Sequence, residues 1–186
     1  MIILLNGPPN SGKDTAANFI VKILPQVNHA KLSRPLKAAV INIFDLSSGT
    51  LRFFNEDSDL ESPFLFGDTY RKVQTDLFHH LEAQYGPDIL ARMFIRYAKK
   101  NIAAKYIVLS DCGRTVEAQA LVDHFGKAEV ILIQLTRRGC NFGNDIREYA
   151  KINCDKRACI DNNHDLEIFE AQIKRVLIKW RLLDGE

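Results

Sequence analysis

At 186 residues with 46% hydrophobic content, the chain is long enough to bury one sizeable core, so a single domain over 1–186 is expected. Its 25 Lys and Arg against 23 Asp and Glu leave a net charge of +2. No basic run is long enough to follow a polynucleotide backbone, which excludes DNA and RNA as expected partners. No stretch has the length that crosses a bilayer, and the apolar start lacks the basic flank and cleavage site of a secretory signal, so a cytoplasmic location is expected. Cys112, Cys140, Cys154 and Cys159 show no two-residue spacing, and reduced thiols are the expected state.

The chain opens with an apolar run, Met1 to Leu5, that leads into Gly7-Pro-Pro-Asn10-Ser11-Gly12-Lys13-Asp14-Thr15. A buried strand followed by a glycine-bounded turn, a lysine and a helix start is a phosphate cradle: the glycines free the backbone to close around an anion. The helix points its positive end at the same place. Lys13 reaches the outer phosphates, and Gly7, Asn10, Ser11, Gly12, Lys13, Asp14 and Thr15 are the expected contacts to a nucleotide triphosphate; an ordinary strand-to-helix turn with Lys13 a solvated cation is the plainer alternative. Asp14 stands where Ser or Thr normally follows the lysine. A carboxylate there is repelled by a triphosphate unless a cation intervenes, so Mg²⁺ is expected near Thr15 with Asp14 a ligand through water. Complementing the helix dipole is an equal alternative for Asp14.

Ala16, Ala17, Phe19, Ile20, Ile23 and Leu24 continue a helix that ends before Pro25, and His29 to Ser33 reads as a short second strand. Arg34-Pro35 starts another helix, with Arg34 and Lys37 on one face; a second anion site and a solvated basic face explain that pair equally. Asp45 to Asp68 is an excursion broken by Gly49 and Pro63, with acids at Glu56, Asp57, Asp59 and Glu61. Its Phe53, Phe54, Phe64 and Phe66 are expected to form a local core. Tyr70, Val73, Leu77 and Leu81 form the inner stripe of the next helix, which leaves Arg71 and Gln74 on a neighbouring face. After Gly86-Pro87 a further helix carries Leu90, Met93, Phe94 and Tyr97 inward.

Tyr106-Ile-Val-Leu109-Ser110-Asp111 reads as a strand buried on both faces and ending in an acid. In an open α/β sheet that end lies near the phosphate loop, where Asp111 holds Mg²⁺ through water or positions a substrate; capping the next helix is the plainer alternative. Val130 to Leu135 is another buried strand. It runs into Thr136-Arg137-Arg138-Gly139 and a polar stretch through Asn144 and Asp145 to Arg147. Such arginines can close over a triphosphate and neutralise transition-state charge, although a surface loop with incidental arginines fits as well. Ala158 to Ile160 is the last strand, followed by a closing helix. Strands alternating with helices give a doubly wound α/β domain with a parallel sheet of about five strands and helices on both faces.

Gly7 to Thr15, Arg34 with Lys37, Arg71-Lys-Val-Gln74, and Ser110-Asp-Cys-Gly-Arg114 with Glu117 together resemble the successive blocks of the phage-type deoxynucleoside monophosphate kinases. The Gly-Lys-Asp form of the loop is characteristic of that group. The resemblance implies a P-loop kinase fold with an acceptor-binding excursion at about 34–100 and a lid at about 137–150. It assigns ATP and Mg²⁺ to the loop, with Asp14, Thr15 and Asp111 serving the metal. The monophosphate falls to Arg34, Lys37, Arg71, Gln74, Asp111 and Arg114, and the lid cations are Arg137, Arg138 and Arg147. Lys13, Arg137, Arg138 and Asp111 are then the residues expected to act in phosphoryl transfer from ATP to a deoxynucleoside monophosphate. Small nucleotides are the expected partners, and a homodimer is left open.

Overall fold

The computed structural model describes residues 1–47, 49–50, 54, 58–101, 103–143 and 146–183. Phe53, Glu56 and Asp57 of the acidic excursion, and Asn144 and Asp145 of the loop before Arg147, lie outside the described residues. The chain divides into two compact units, Met1–Leu32 with Ala91–Glu186, and Ser33–Leu90.

The strands are β1 (Ile2–Asn6), β2 (Val27–Ala30), β3 (Tyr106–Leu109), β4 (Val130–Thr136) and β5 (Lys156–Asp161). The described helices are α1 (Lys13–Ile23), α2 (Arg34–Ile43), α3 (Tyr70–Tyr85), α4 (Ile89–Asn101), α5 (Thr115–Phe125) and α6 (Leu166–Lys179). All five strands form one parallel sheet in the order β2-β3-β1-β4-β5. Each residue of β1 is buried, which requires cover on both faces. Ile3, Leu5, Ile131 and Ile133 share a core with Ala16, Ala17 and Ile20 of α1 and Phe169, Ile173 and Leu177 of α6. Ile2, Leu4, Val130 and Leu132 alternate to the opposite face and are equally buried, and α5 packs against β4. The β1-to-β2 and β3-to-β4 crossovers run in opposite directions along the sheet. Right-handed connections therefore put α1 and α5 on opposite faces.

The second strand occupies Val27–Ala30 and not His29 to Ser33. Ala30 is the last residue paired to β3, opposite Leu109, and the Leu32 N–H turns away to a side chain, Asp111 Oδ1, at 2.8 Å. As an edge strand with exposed Asn28 and His29, it carries little of the apolar pattern that marks its neighbours.

At the start of α6, Asp165 accepts from the Ile168 N–H at 2.9 Å, a capping bond that fixes the helix delivering Phe169, Ile173 and Leu177. Asp165→Ala should cost about 1 kcal/mol, read as a fall of roughly 2–4 °C in melting temperature. An unchanged melting curve would show that this cap contributes nothing.

In the second unit, Val40, Leu46, Phe54, Leu65 and Tyr70 form a small core, with the Phe54 and Tyr70 rings stacked at 4.8 Å. Phe64 and Phe66, expected inside, are instead 63% and 91% exposed. The 3₁₀ turn Pro63–Leu65 sends Leu65 inward, and Phe66 follows in a left-handed conformation at φ 57°. On α3 the fully buried positions are Tyr70 and Phe78; Val73, Leu77 and Leu81 are half-buried. Among the described residues no helix is long and apolar enough to cross a membrane.

Candidate functional site

The chain leaves β1 toward one face of the sheet and leaves its neighbour β3 toward the other, so a crevice opens beyond their carboxyl ends. The loop from Gly7 to Gly12 and the loop from Ser110 to Arg114 meet there. Gly7 is required sterically: a Cβ would lie 2.6 Å from the Leu135 carbonyl and 2.8 Å from Ser11 Oγ. Gly12 is favoured by its left-handed conformation as the cap of α1, φ 98°, ψ 20°, and a Cβ there would also meet the Asn162 side-chain amide.

The carbonyls of the loop are occupied by side chains. Lys13 Nζ donates to Gly7 O at 2.8 Å and to Pro8 O at 2.6 Å. Asn162 Nδ2 donates to Ser11 O at 3.0 Å, and Arg137 Nη1 to Asn10 O at 3.2 Å. Pro8 and Pro9 supply no N–H, so the donors of the cradle begin at Asn10, itself at φ 61°. Beneath the loop, the buried Ser11 hydroxyl has no hydrogen-bond partner among the described residues. Burial holds the Lys13 ammonium below its ordinary pKa, and the Arg147 guanidinium adds to this against the opposing pull of Asp14, Cys140 and Asp111.

Asp14 lies in the first turn of α1 and has two side-chain partners there. Its carboxylate receives the Ser110 hydroxyl at 2.6 Å and lies 2.9 Å from Lys31 Nζ. Because Ser110 spends its one proton on Asp14, His29 Nε2, at 2.8 Å from Ser110 Oγ, must be the donor of that contact. Partial desolvation of the ring, with Lys31 adding, lowers the His29 pKa against the opposing pull of Asp14 and Asp111 and favours the neutral imidazole. For Asp14, burial pushes the carboxyl upward but the bonds from Ser110 and Lys31 outweigh it, and its pKa falls below the usual carboxylate range. The folded state therefore prefers the carboxylate. That stabilisation is present above the ordinary Asp pKa and is lost as pH falls through the depressed one. With the side chain 65% exposed, solvent screening keeps the contribution small. Ser110→Ala should raise the Asp14 pKa, measured by carboxyl-carbon NMR titration; an unmoved titration would count against this hydrogen bond.

Asp111 does not cap α5: that place belongs to Arg114, whose side chain makes no capping bond. Asp111 Oδ1 instead accepts the Leu32 N–H. Glu117, on the first turn of α5, is buried. Cys112 is buried as well; burial, reinforced by Glu117 and Asp111, pushes its thiol well up, so it is not a nucleophile at neutral pH.

Arg137 and Arg138 are exposed, and the Arg138 N–H donates to Asn163 Oδ1 at 2.6 Å. Arg147 is half-buried. The expected lid is irregular chain with turns at 138–139 and 143 in its described part, with Gly139 and Gly143 at positive φ, and its end is fastened to the core, with Ala150 buried. Lys13, Asp14, Thr15, Asp111, Arg114, Arg137, Arg138 and Arg147 thus belong to the first unit, and Arg34, Lys37, Arg71 and Gln74 to the second. Arg34 and Lys37 lie on the first turn of α2. Arg71 is exposed and bonded to Asp59 Oδ1 at 2.6 Å and Ser58 Oγ at 2.9 Å, and this bond holds the Asp59 carboxyl below its ordinary pKa.

Among the described residues no group of three or more His, Cys, Asp or Glu is placed to hold a metal ion. Neither a scan against protein-family models nor a search of the curated proteins returned a match. The site residues that sequence alone left unnoticed are Asn6, His29, Lys31 and Asn162, which carry no motif and reach the loop through the fold.

Proposed function

We propose that the chain is an ATP-dependent phosphotransferase of the P-loop nucleotide-kinase fold, which transfers the γ-phosphoryl group to a deoxynucleoside monophosphate. The observation that carries the reading is the cradle: a loop after the central strand in which Gly7 is held against the Leu135 carbonyl, Gly12 takes a left-handed conformation and Lys13 is folded over the loop carbonyls. Lys13, the α1 N-terminus and the N–H groups from Asn10 onward would hold the triphosphate. Arg137, Arg138 and Arg147 would screen its charge in the transition state.

Mg²⁺ usually takes only one or two carboxylates from protein and completes its shell with phosphates and water. A Thr15 hydroxyl with Asp14 and Asp111 through water is a donor set of that chemistry, and Lys31 beside Asp14 marks a carboxylate that accepts a cation. The metal, when bound, neutralises charge between the phosphates.

An anionic acceptor fits the carboxylates better than a hydroxyl acceptor does. A hydroxyl needs a general base with a pKa near neutrality. Asp14 is shifted the other way, and Asp111 is engaged with the Leu32 N–H. A monophosphate is already a nucleophile and asks only for alignment and charge neutralisation. The family resemblance assigns that task to Arg34, Lys37, Arg71, Gln74, Asp111 and Arg114.

The test is ATP consumption across a panel of ribo- and deoxyribonucleoside monophosphates and phosphorylated hydroxyl metabolites. Acceleration by at least one deoxynucleoside monophosphate is expected. Acceleration by a hydroxyl compound alone would replace this reading with that of another small-molecule kinase, and tight nucleotide binding with no stimulated turnover would favour a nucleotide-dependent switch.

A further inference from the structure

Asn6, the last residue of β1, is a fully buried polar side chain with its hydrogen-bonding capacity filled. Its Nδ2 donates to Cys112 O at 3.0 Å and Glu148 O at 2.9 Å. Its Oδ1 accepts from the Ala150 N–H at 2.9 Å and Gln134 Nε2 at 3.2 Å, which is all that one amide can do. Gln134 Nε2 also reaches Ala150 O at 3.1 Å. Residues 148–150 are therefore fastened to the carboxyl ends of β1 and β4, at the root of the phosphate loop.

A second clamp acts one residue earlier. The Glu148 N–H donates to Gly113 O at 2.8 Å, and a Cβ on Gly113 would lie 2.6 Å from both Cγ and Cδ of Arg147. The Arg147 stem rests on the bare Cα of Gly113. The reason for glycine there is steric, since no left-handed φ is involved. The β1–β3 register, with Leu4 opposite Leu109, carries Asn6 and Gly7 alongside the loop that contains Gly113.

We infer that Asn6 and Gly113 are positioning residues that fix Arg147 at the root of the loop from Gly7 to Gly12, so that Arg147 is a standing cation of the phosphate site and not one delivered by a moving lid. The inference rests on the reading of Gly7 to Thr15 as a triphosphate cradle. Lys13 Nζ reaches Gly7 O, the residue after Asn6, at 2.8 Å, so the segment that Asn6 holds and the Lys13 head meet at the same end of β1. Two cations held close together repel until a polyanion binds between them, and its binding then relieves the repulsion.

The test is a set of double-mutant cycles read as MgATP affinity by calorimetry, with thermal melts on each variant. Arg147→Met should weaken MgATP binding about tenfold or more. Gly113→Ala and Asn6→Ala should each weaken it severalfold in the wild-type background and have no further effect in the Arg147→Met background. Full, additive losses in that background would make Asn6 and Gly113 general structural residues and overturn the inference. So would an Arg147→Met protein that binds as tightly as wild type, a result that decides the matter even if the other two variants do not fold. A wild-type protein with no affinity for MgATP would remove the proposed function together with this inference; a wild-type protein that binds, with additive cycles, removes the inference alone.

Discussion

Replacing Lys13 with methionine should lower the rate of ATP-dependent phosphoryl transfer by about a hundred- to a thousand-fold, with little change in the melting temperature at neutral pH. The two halves of that expectation have separate causes. The ammonium is held directly over the loop carbonyls, at 2.8 Å from Gly7 O and 2.6 Å from Pro8 O, and a bound triphosphate would compete for it with greater charge. Its removal deletes an interaction that strengthens as charge develops on the transferred group. On the stability side, two hydrogen bonds worth about 1 kcal/mol each are lost.

Against them stands the cost of the charge itself. Burial, then Arg147, lowers the Lys13 pKa, so the fold disfavours the protonated form at every pH below the depressed value. That penalty disappears only as pH rises toward the ordinary lysine value and beyond. Methionine keeps the apolar stem and removes the penalty. Steady-state kinetics and a thermal melt on the same preparation check both halves. A turnover within about threefold of wild type would remove Lys13 from the chemistry, whereas collapse of the melt would make it a structural residue.

What could be read from the sequence was what is local in the chain. The central strands β1, β3 and β4 are runs of consecutive buried apolar residues, a pattern that shows without knowledge of the neighbours. The turn between β1 and α1 is legible for the same reason, being contiguous from Gly7 to Thr15. Asp14 was seen as an anomaly but its partners were not, because Ser110 lies 96 positions away. Lys31 and His29 reach Asp14 and Ser110 through the β2–β3 register, in which His29 stands opposite Val108. Nothing in the sequence around an edge strand of Val-Asn-His-Ala fixes that register. Asn6 and Asn162 read as ordinary polar residues at strand ends, and only the packed sheet turns them into the supports of residues 148–150 and of Ser11. The phenylalanines of the excursion misled in the opposite sense. Composition suggests that all of them are core, yet the tight turn at Pro63–Leu65 buries Leu65 and leaves Phe64 and Phe66 exposed.

The support given by Asn162 sets the largest stability effect expected in the loop. Gly12→Ala should destabilise the protein by roughly 2–4 kcal/mol. Part of this is conformational, because alanine in the left-handed region costs about 1–2 kcal/mol and Gly12 sits at φ 98°. The remainder is steric. The new methyl group would occupy the place of the Asn162 amide, whose Nδ2 donates to Ser11 O at 3.0 Å, and expelling it leaves that carbonyl without its donor. The two contributions separate in an Asn162→Ala background. There the methyl group finds space, so Gly12→Ala should cost only the conformational part, about 1–2 kcal/mol. Chemical denaturation of the four proteins measures the difference directly. Equal costs in the two backgrounds would show that Asn162 yields without penalty, and that the glycine is held at position 12 by backbone conformation alone.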